Sequence, residues 1–450
     1  MPRHTLFGAA AGLVAAVVAL VGCSGSAGSG NGSTGVSGGG GGSTAPGVTA
    51  TSILIGSHQP LTGPAAPGYS EISPASKAMF GYINAHGGVN GRKITYKYLD
   101  DAYNPTQTVN VVRQLVLQDN VFAIFNGLGT PTHEKVTDFL NQNKVPDLFV
   151  ASGCKCWNDP QQHPYTFGWQ PDYTIEGKVL GKQIADTLKG KKVGYFYQND
   201  DFGRDGIAGL DQFIPKSAVV SRQSYTPGNT DVGPQVAALK QAGAQVVVLF
   251  TIPAYTALFQ LNSLKLGYTP SLFVTSVGSD PITLSGLLQA FAKQGGASVN
   301  GNQLIQGITT VSYLPPTGDL NDPWVKLFRK VASDEHLGMP FDGNVEYGMA
   351  VAWDFAAAVK AAGKNLTREG LVKAVQGSGL KGAGLVPLTY SATDHAGFRG
   401  VQLGVIKGNT VVLQGSPQVT GDSGPVQNFT GRRPTPADAG ILPASALPSS

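Results

Sequence analysis

The chain has 450 residues, of which 41% are hydrophobic and 13% are charged, so it is long enough for two or three domains with apolar cores. Its net charge of +4 is spread along the chain and forms no basic stripe of the kind that nucleic-acid-binding proteins carry. We therefore expect no nucleic-acid partner.

The N-terminal segment, residues 1–22, is predicted to be a lipoprotein signal peptide. Arg3 supplies a short basic region, and an unbroken run of small and apolar residues follows it. The run ends in LVGC at 20–23, which looks like a bacterial lipobox, a site that is cut before its cysteine. Cys23 is therefore the predicted lipidation site, on the outer face of the cytoplasmic membrane. The alternative is a plain membrane anchor with an incidental cysteine.

Two further segments are predicted to lack a fixed fold. Residues 23–51 are rich in Gly, Ser, Thr and Ala without hydrophobic periodicity, and we expect a flexible tether. Residues 416–450 contain six prolines in 35 positions, with many Gly, Ser and Ala residues, and we expect a disordered tail.

Between these segments, short apolar runs alternate with helical patterns. Strands are predicted at 53–57, 94–99, 121–125, 148–151, 192–197, 219–225 and 245–250. Helices are predicted to begin at Ser73, at Asn104 and before Val136, and then to lie at 203–213, 234–242, 254–266, 281–293, 322–336, 345–362 and 367–376. Continuous apolar strands separated by amphipathic helices predict parallel sheets covered on both faces, here in two α/β lobes that join near residue 170.

The loop at 126–132 is the first candidate for a ligand site, because it follows a strand and opens a helix. Its sequence, NGLGTPT, resembles a dinucleotide-binding loop whose third glycine is replaced by Thr132. Asp147 has the spacing of a ribose-binding acid but lies at the beginning of its strand. A small carboxylate received by Gly129 and Thr130 is the favoured interpretation, and a tight structural turn is the alternative.

No catalytic or metal-binding set emerges from the sequence. The pair His133-Glu134 starts a zinc-protease-like motif whose second histidine is Thr137, and both side chains are expected to face solvent. Because no nucleophile elbow or P-loop is present either, we expect no metal, no cofactor and no enzymatic activity. Cys154 and Cys156 are expected to form a disulfide or to remain two thiols, with a metal site the least favoured alternative.

The sequence resembles the type I periplasmic solute-binding proteins, in the branch that binds leucine, isoleucine and valine. The resemblance covers about 52–415 in order. It rests on ILIG at 53–56, PLTG at 60–63, INAHGGVNGR at 83–92, LDD at 99–101, LFVASG at 148–153, GWQP at 168–171, YQNDDFG at 197–203, DH at 394–395 and the segment 400–406.

The resemblance implies two doubly wound, Rossmann-like lobes with parallel sheets, joined by three crossovers. The N-lobe would comprise 52–170 and 309–398, and the C-lobe 171–308 and 399–415. It also implies a lipid-anchored, extracytoplasmic monomer that captures a small polar solute between the lobes and delivers it to an ABC transporter permease. The solute would be a branched-chain or other amino acid, or a related carboxylate or amide. A ligand sensor of the same fold, signalling to a membrane partner, is the alternative.

The expected ligand-binding residues combine positions carried over from the family with aromatic side chains in the predicted loops. They are Tyr69, Leu128, Gly129, Thr130, Ala151, Ser152, Gly153, Tyr173, Phe202, Tyr255 and Asp280. Relatives that bind amino acids place a glutamate for the ammonium near the position of Val277 or Gly278, and Asp280 is the acid close by. If the solute is an amino acid, we expect Asp280 or the pair Asp200-Asp201 to hold its ammonium group.

Overall fold

A computed structural model describes residues 45–377 and 379–448. The predicted signal peptide, the lipidation site Cys23 and most of the predicted tether lie outside these residues. The last residues assigned to the tether are ordered, because Val48 pairs with Ile53 and is only 6% exposed. The tether therefore ends before residue 45 rather than at 51.

The first lobe is built on a parallel sheet of five strands. They are β1 (Ser52–Gln59), β2 (Lys93–Asp100), β3 (Ile124–Phe125), β4 (Asp147–Val150) and β5 (Thr166–Gly168). Their order in the sheet is β2-β1-β3-β4-β5, and all neighbours run parallel. Strands β3, β4 and β5 are buried throughout, as expected for a sheet covered by helices on both faces.

The second lobe is built on a larger, mixed sheet. Its strands are β6 (Val193–Gln198), β7 (Val219–Tyr225), β8 (Val246–Phe250), β9 (Ser271–Val274), β10 (Thr309–Ser312), β13 (Gly400–Lys407), β14 (Thr410–Leu413), β15 (Gln418–Val419) and β16 (Gln427–Asn428). Between β10 and β13 the chain forms a separate antiparallel pair of short strands, β11 (Gly379–Leu380) and β12 (Leu388–Thr389). Strands β7, β6, β8, β9 and β10 are neighbours in that order and run parallel, whereas β13 joins β10 antiparallel. The predicted alternation of strand and helix is therefore present in both lobes.

Helices cover both sheets. They are α1 (Ala66–Tyr69), α2 (Ile72–Ala85), α3 (Pro105–Arg113), α4 (Thr130–His133), α5 (Thr137–Gln142), α6 (Tyr173–Thr187), α7 (Asp201–Leu210), α8 (Gly233–Gln241), α9 (Pro253–Lys265), α10 (Pro281–Gln294), α11 (Gly301–Leu304), α12 (Pro323–Asp334), α13 (Gly343–Ala362), α14 (Arg368–Gly377) and α15 (Pro436–Ala439). Many begin at an Asp or Asn side chain that accepts backbone N–H groups of the first turn, as Asn104 does for α3 and Asp342 for α13. Within the described residues, no helix combines the length and the apolar character that crossing a membrane requires.

The chain crosses between the lobes three times before residue 408. It leaves the first sheet after β5, returns after β10 to place α12 and α13 against α2, and crosses again just before β13. The sequence-based boundary at residue 309 is too early, because Thr309 pairs with Phe273 of β9 and so β10 belongs to the second lobe. Strand pairing across a sheet is non-local, and the composition of the segment does not reveal it.

Residues 416–448, which we call the C-terminal strap, are ordered rather than disordered. Strand β15 pairs with β13 in the second lobe, where the buried Nζ of Lys178 donates to Thr420 Oγ1 at 2.7 Å and to two backbone carbonyls. The strap then reaches the first lobe, where Trp324 Nε1 donates to Pro434 O at 2.9 Å and Tyr82 OH donates to Ala446 O at 2.7 Å. Side chains of the two lobes thus satisfy the backbone of a segment whose own composition favours disorder.

Candidate functional site

A cavity of about 150 Å³ lies between the two lobes, at the carboxyl ends of their parallel strands. Eight of the eleven predicted ligand-binding residues line it, and they come from both lobes. These are Tyr69, Leu128, Gly129, Thr130, Ala151, Tyr173, Phe202 and Asp280.

Three predicted residues are not brought to this cavity. Ser152 and Gly153 lie beside it around a much smaller void, and Ser152 Oγ contacts Thr130 Oγ1 at 2.7 Å. Tyr255 stacks on Tyr225 with ring centroids 3.9 Å apart, and its hydroxyl accepts the N–H of Gly228. Ser152 therefore supports a cavity residue, whereas Tyr255 packs within the second lobe.

The loop after β3 forms one wall of the cavity and requires glycine at two positions. Gly129 has a φ of +106°, and a Cβ there would lie 2.5 Å from the Tyr103 ring. At Gly127 a Cβ would lie 2.5 Å from both His133 Nδ1 and His58 Nε2. The loop backbone therefore lies directly against the side chains beneath it.

Beneath this loop runs a buried chain of four side chains. Asp101 Oδ2 contacts His58 Nδ1 at 2.7 Å, His58 Nε2 contacts His133 Nδ1 at 2.8 Å, and His133 Nε2 contacts Asp147 Oδ2 at 2.8 Å. The expectation that His133 faces solvent is wrong, because the loop turns its side chain inward to complete this chain. Two neutral imidazoles carry two N–H donors, which can fill two of these three contacts. Burial lowers the pKa of His58, which favours its neutral form.

Five tyrosine hydroxyls are among the neutral polar groups of the cavity wall. Besides Tyr69 and Tyr173, the wall contains Tyr103, Tyr313 and Tyr347, which are not among the predicted ligand-binding residues. Burial raises the pKa of all five, so the hydroxyls remain protonated and can donate.

Several hydrogen bonds join the two lobes around the cavity. Tyr69 OH of the first lobe donates to Val277 O of the second at 3.1 Å, and Gln198 Nε2 of the second lobe donates to Tyr103 OH at 3.3 Å. Asp280 begins α10, and its carboxylate accepts the Thr283 N–H at 2.8 Å within the second lobe and the Gly343 N–H of the first lobe at 2.9 Å. The first and second lobes are therefore in direct contact around the cavity.

Two acids line the cavity, and among the described lining residues none is a lysine, arginine or histidine. Burial, and after it the nearby Asp342, raise the pKa of Asp280 to about 6. Glu346 lies in the first turn of α13, is 3% exposed and has no hydrogen-bond partner for its Oε1. Burial, and after it Asp322, raise the pKa of Glu346 well above its ordinary value.

Glu346 was not selected from the sequence, although one signal pointed to it. Glu346 is an acid inside the otherwise apolar run VEYGMAVAW of α13. Acids are rarely buried without an ion-pair or hydrogen-bond partner, so an acid in a helix that is buried on all faces indicates that such a partner is present. The other acids considered for an ammonium group do not line the cavity. Asp200 is the N-cap of α7 and accepts from Gln198 Nε2 at 2.6 Å, and Asp201 pairs with Arg204 at 2.6 Å.

Cys154 and Cys156 form a disulfide beside the cavity. Their sulfur atoms and a carboxylate oxygen of Glu134 lie within 4.8 Å of one another. Because the thiolates that would bind a metal are joined to each other, the pair offers no metal site in this form. Burial, and after it Asp201, raise the pKa of Glu134 to about 7.

Comparison with known proteins identifies the family. The family model described as periplasmic binding protein matches residues 52–410 of this chain. The chain belongs to the type I periplasmic binding protein family. This confirms the resemblance found in the sequence.

Relatives of this periplasmic binding protein cover part of it. Leu/Ile/Val-binding protein homolog 3 of Brucella melitensis is 29% identical over 211 residues, 43% of this chain and 53% of that protein. Leu/Ile/Val-binding protein homolog 2 of Brucella abortus is 31% identical over 217 residues, 45% of this chain and 54% of that protein. The chain thus spans about half the length of the curated relatives that it matches.

Solved structures share the fold of this periplasmic binding protein. The fatty acid ABC transporter substrate-binding protein of Thermomonospora curvata superposes with a TM-score of 0.72 at 22% identity, covering 82% of this chain and 93% of that one. A branched chain amino acid ABC transporter protein of Thermus thermophilus with bound valine gives 0.71 at 19% identity, covering 83% and 97%. These matches confirm the predicted fold of two Rossmann-like lobes.

Proposed function

We propose that this protein is a non-enzymatic, extracytoplasmic solute-binding protein that captures a small polar solute between its lobes and delivers it to the permease of an ABC importer. Its family supports this proposal, as do the names of relatives that bind leucine, isoleucine, valine or fatty acids for ABC transporters.

The observation that carries the proposal is a cavity lined from both lobes and bordered by hydrogen bonds between them. The bonds from Tyr69 to Val277 and from Gly343 to Asp280 form only when the lobes are together. A solute that touches both walls therefore stabilises the closed form over the open one. A permease that contacts both lobes can distinguish the loaded from the unloaded protein by that change.

The size and lining of the cavity restrict the solute. A cavity of about 150 Å³ is comparable to one that accommodates benzene, which corresponds to a side chain of a few carbons. The wall combines apolar groups such as Ile72 and Val311 with tyrosine hydroxyls. A branched-chain or other small amino acid, or a related carboxylate or amide, fits this combination better than an extended fatty acid.

A lipid on Cys23 would hold the protein at the outer face of the cytoplasmic membrane, close to its permease. The LVGC motif and the glycine-rich segment after it support this part of the proposal. Metabolic labelling with radioactive palmitate in a bacterial host tests it. We expect label in the full chain and none in Cys23→Ala, whereas equal labelling of both would contradict lipidation at this residue.

Ligand binding is tested by a thermal-shift screen of the purified chain against amino acids, small carboxylates, amides and fatty acids, with calorimetric titration of each hit. A solute at 100 times its dissociation constant should stabilise the protein by about 2.7 kcal/mol. We expect a one-to-one complex with a small solute. If no solute in any of these classes shifts the transition, the solute-binding proposal is contradicted.

A further inference from the structure

Glu346 lines the cavity and has a buried side-chain oxygen without a hydrogen-bond partner among the described residues. Its carboxyl is buried at 3% exposure on the cavity wall, and Oε1 has no partner within the described residues. A buried carboxyl oxygen without a partner costs free energy that most folded proteins avoid. This atom therefore indicates a missing ligand group.

Two nearby acids, Asp280 and Asp342, differ from Glu346 because their oxygens already accept hydrogen bonds. Asp280 accepts two backbone N–H groups, and Asp342 accepts those of Asn344 and Val345 at 3.0 Å each as the N-cap of α13. Asp342 also accepts the Thr283 hydroxyl at 2.9 Å. Both carboxylates therefore have structural roles at helix N-termini.

The cations that act electrostatically on Glu346 are also engaged elsewhere. Arg433 pairs with Asp322 and donates to the carbonyls of Ala383 and Gly384. Arg329 donates to Thr317 O at 2.9 Å and lies over the Phe341 ring. Neither guanidinium completes the bonding of Oε1.

We propose that Glu346 receives a cationic ammonium group of the solute, and that this contact makes the cavity select ammonium-bearing solutes over their deaminated counterparts. This inference rests on the proposed solute-binding function. An ammonium group offers three donors and a positive charge, whereas the cavity wall has the acids Asp280 and Glu346 and, among its described residues, no lysine, arginine or histidine. A solute with only a carboxylate finds neutral hydroxyls and no cation.

The proposal also predicts a proton balance. Burial raises the pKa of Glu346 well above its ordinary value, which favours the protonated carboxyl while the site holds no solute. When an ammonium ion enters, the carboxyl gives its proton to solvent and remains as a carboxylate paired with the ammonium. Binding should therefore release about one proton per solute, which calorimetry in buffers of different ionisation enthalpy measures.

Three probes that share a branched alkyl chain distinguish the contribution of the ammonium group from that of the carboxylate. They are L-leucine, which carries both groups, 4-methylpentanoate, which lacks the amine, and 3-methylbutylamine, which lacks the carboxylate. For wild type, we expect both amines to bind more tightly than 4-methylpentanoate. In Glu346→Gln we expect the affinity for both amines to fall about 10- to 100-fold, as when a charge-assisted hydrogen bond is lost, and proton release to disappear. Glu369→Gln, which changes an exposed acid on α14, is the matched control and should bind as wild type does.

Three results would overturn the assignment: tighter binding of 4-methylpentanoate than of either amine, unchanged amine affinity in Glu346→Gln, or no shift by any amine probe. Glu346→Asp keeps the carboxyl group on a side chain that is one methylene shorter, and it is the variant to test if Glu346→Gln does not fold. It should bind amines more weakly than wild type while still releasing a proton. The broader screen decides the proposed function separately, because a carboxylate or amide ligand found there would refute the role of Glu346 and retain solute binding.

Discussion

Replacing Arg433 by methionine removes a charged group through which the C-terminal strap attaches to the first lobe. Arg433 pairs with Asp322 and donates to Ala383 O at 2.7 Å, and the two paired side chains are 22% and 7% exposed. Removing one partner of a buried ion pair typically costs about 3–5 kcal/mol. The partial exposure of the arginine reduces this, so we expect a loss of about 2–4 kcal/mol in the free energy of unfolding.

The loss translates into a measurable change in melting temperature. About 400 ordered residues with an unfolding entropy of about 2.1 cal/mol/K each give about 0.8 kcal/mol/K, so the transition should fall by about 2–5 °C. Differential scanning calorimetry measures this shift. Limited proteolysis should also cut the strap faster in the variant, because an attachment of residues 416–448 has been removed.

The neighbouring residue supplies a matched control. Arg432 is 78% exposed and pairs with Asp438 on the surface, so Arg432→Met should change stability by less than about 0.5 kcal/mol. If Arg433→Met melts at the same temperature as Arg432→Met, and the strap is cleaved as quickly in wild type as in the variant, then the strap is the disordered tail that its composition suggests.

Three further predictions concern other parts of the molecule. Burial raises the pKa of Asp354 to about 7, so between about pH 4 and pH 7 the folded protein holds a proton that the unfolded chain releases. The stability that this carboxyl contributes is therefore present below about pH 4 and is lost as the pH rises through 7. In calorimetry, Asp354→Asn should melt above wild type at about pH 8 but not at about pH 4. Gly127→Ala should destabilise the fold and weaken solute binding in a titration, because the added Cβ has no room. Gly286→Ala places its Cβ in open space within α10 and should stabilise the protein by about 0.5–1 kcal/mol. Equal melting temperatures of the two variants would refute the packing argument. The peptide that carries Cys154 and Cys156 should take up iodoacetamide only after reduction, as mass spectrometry would show, and uptake without reductant would contradict the disulfide.

The sequence predicted the alternation of strands and helices because hydrophobic periodicity is a local property. It did not predict where β10 pairs or that the strap is ordered, because both depend on distant partners. The strap is held by Lys178, Trp324 and Tyr82, which lie far from it along the chain. The prediction of disorder rested on the Gly, Pro and Ser content of this segment, and it is wrong because these tertiary contacts hold the segment in place.

The part of the candidate site that lies in loops after strands was predicted from the sequence. Gly129 and Thr130 reach the cavity for that reason, because a parallel sheet directs such loops to one edge. Glu346 was missed because it enters from a buried helix rather than from a loop. A regular amphipathic helix through this segment predicts that His133 faces solvent, whereas the structure breaks the helix between α4 and α5.

The central claim is that a solute binds between the two lobes, and a variant that fills the cavity tests it most directly. Ala151 lines the cavity at 8% exposure, so Ala151→Phe would occupy part of its volume, whereas Ala208→Phe adds the same ring on the exposed face of α7. Calorimetric titration of the best solute from the screen should show binding to wild type and Ala208→Phe, and at least a 100-fold loss, about 2.7 kcal/mol, in Ala151→Phe. Undiminished affinity in a folded Ala151→Phe protein would place the solute elsewhere and contradict the account.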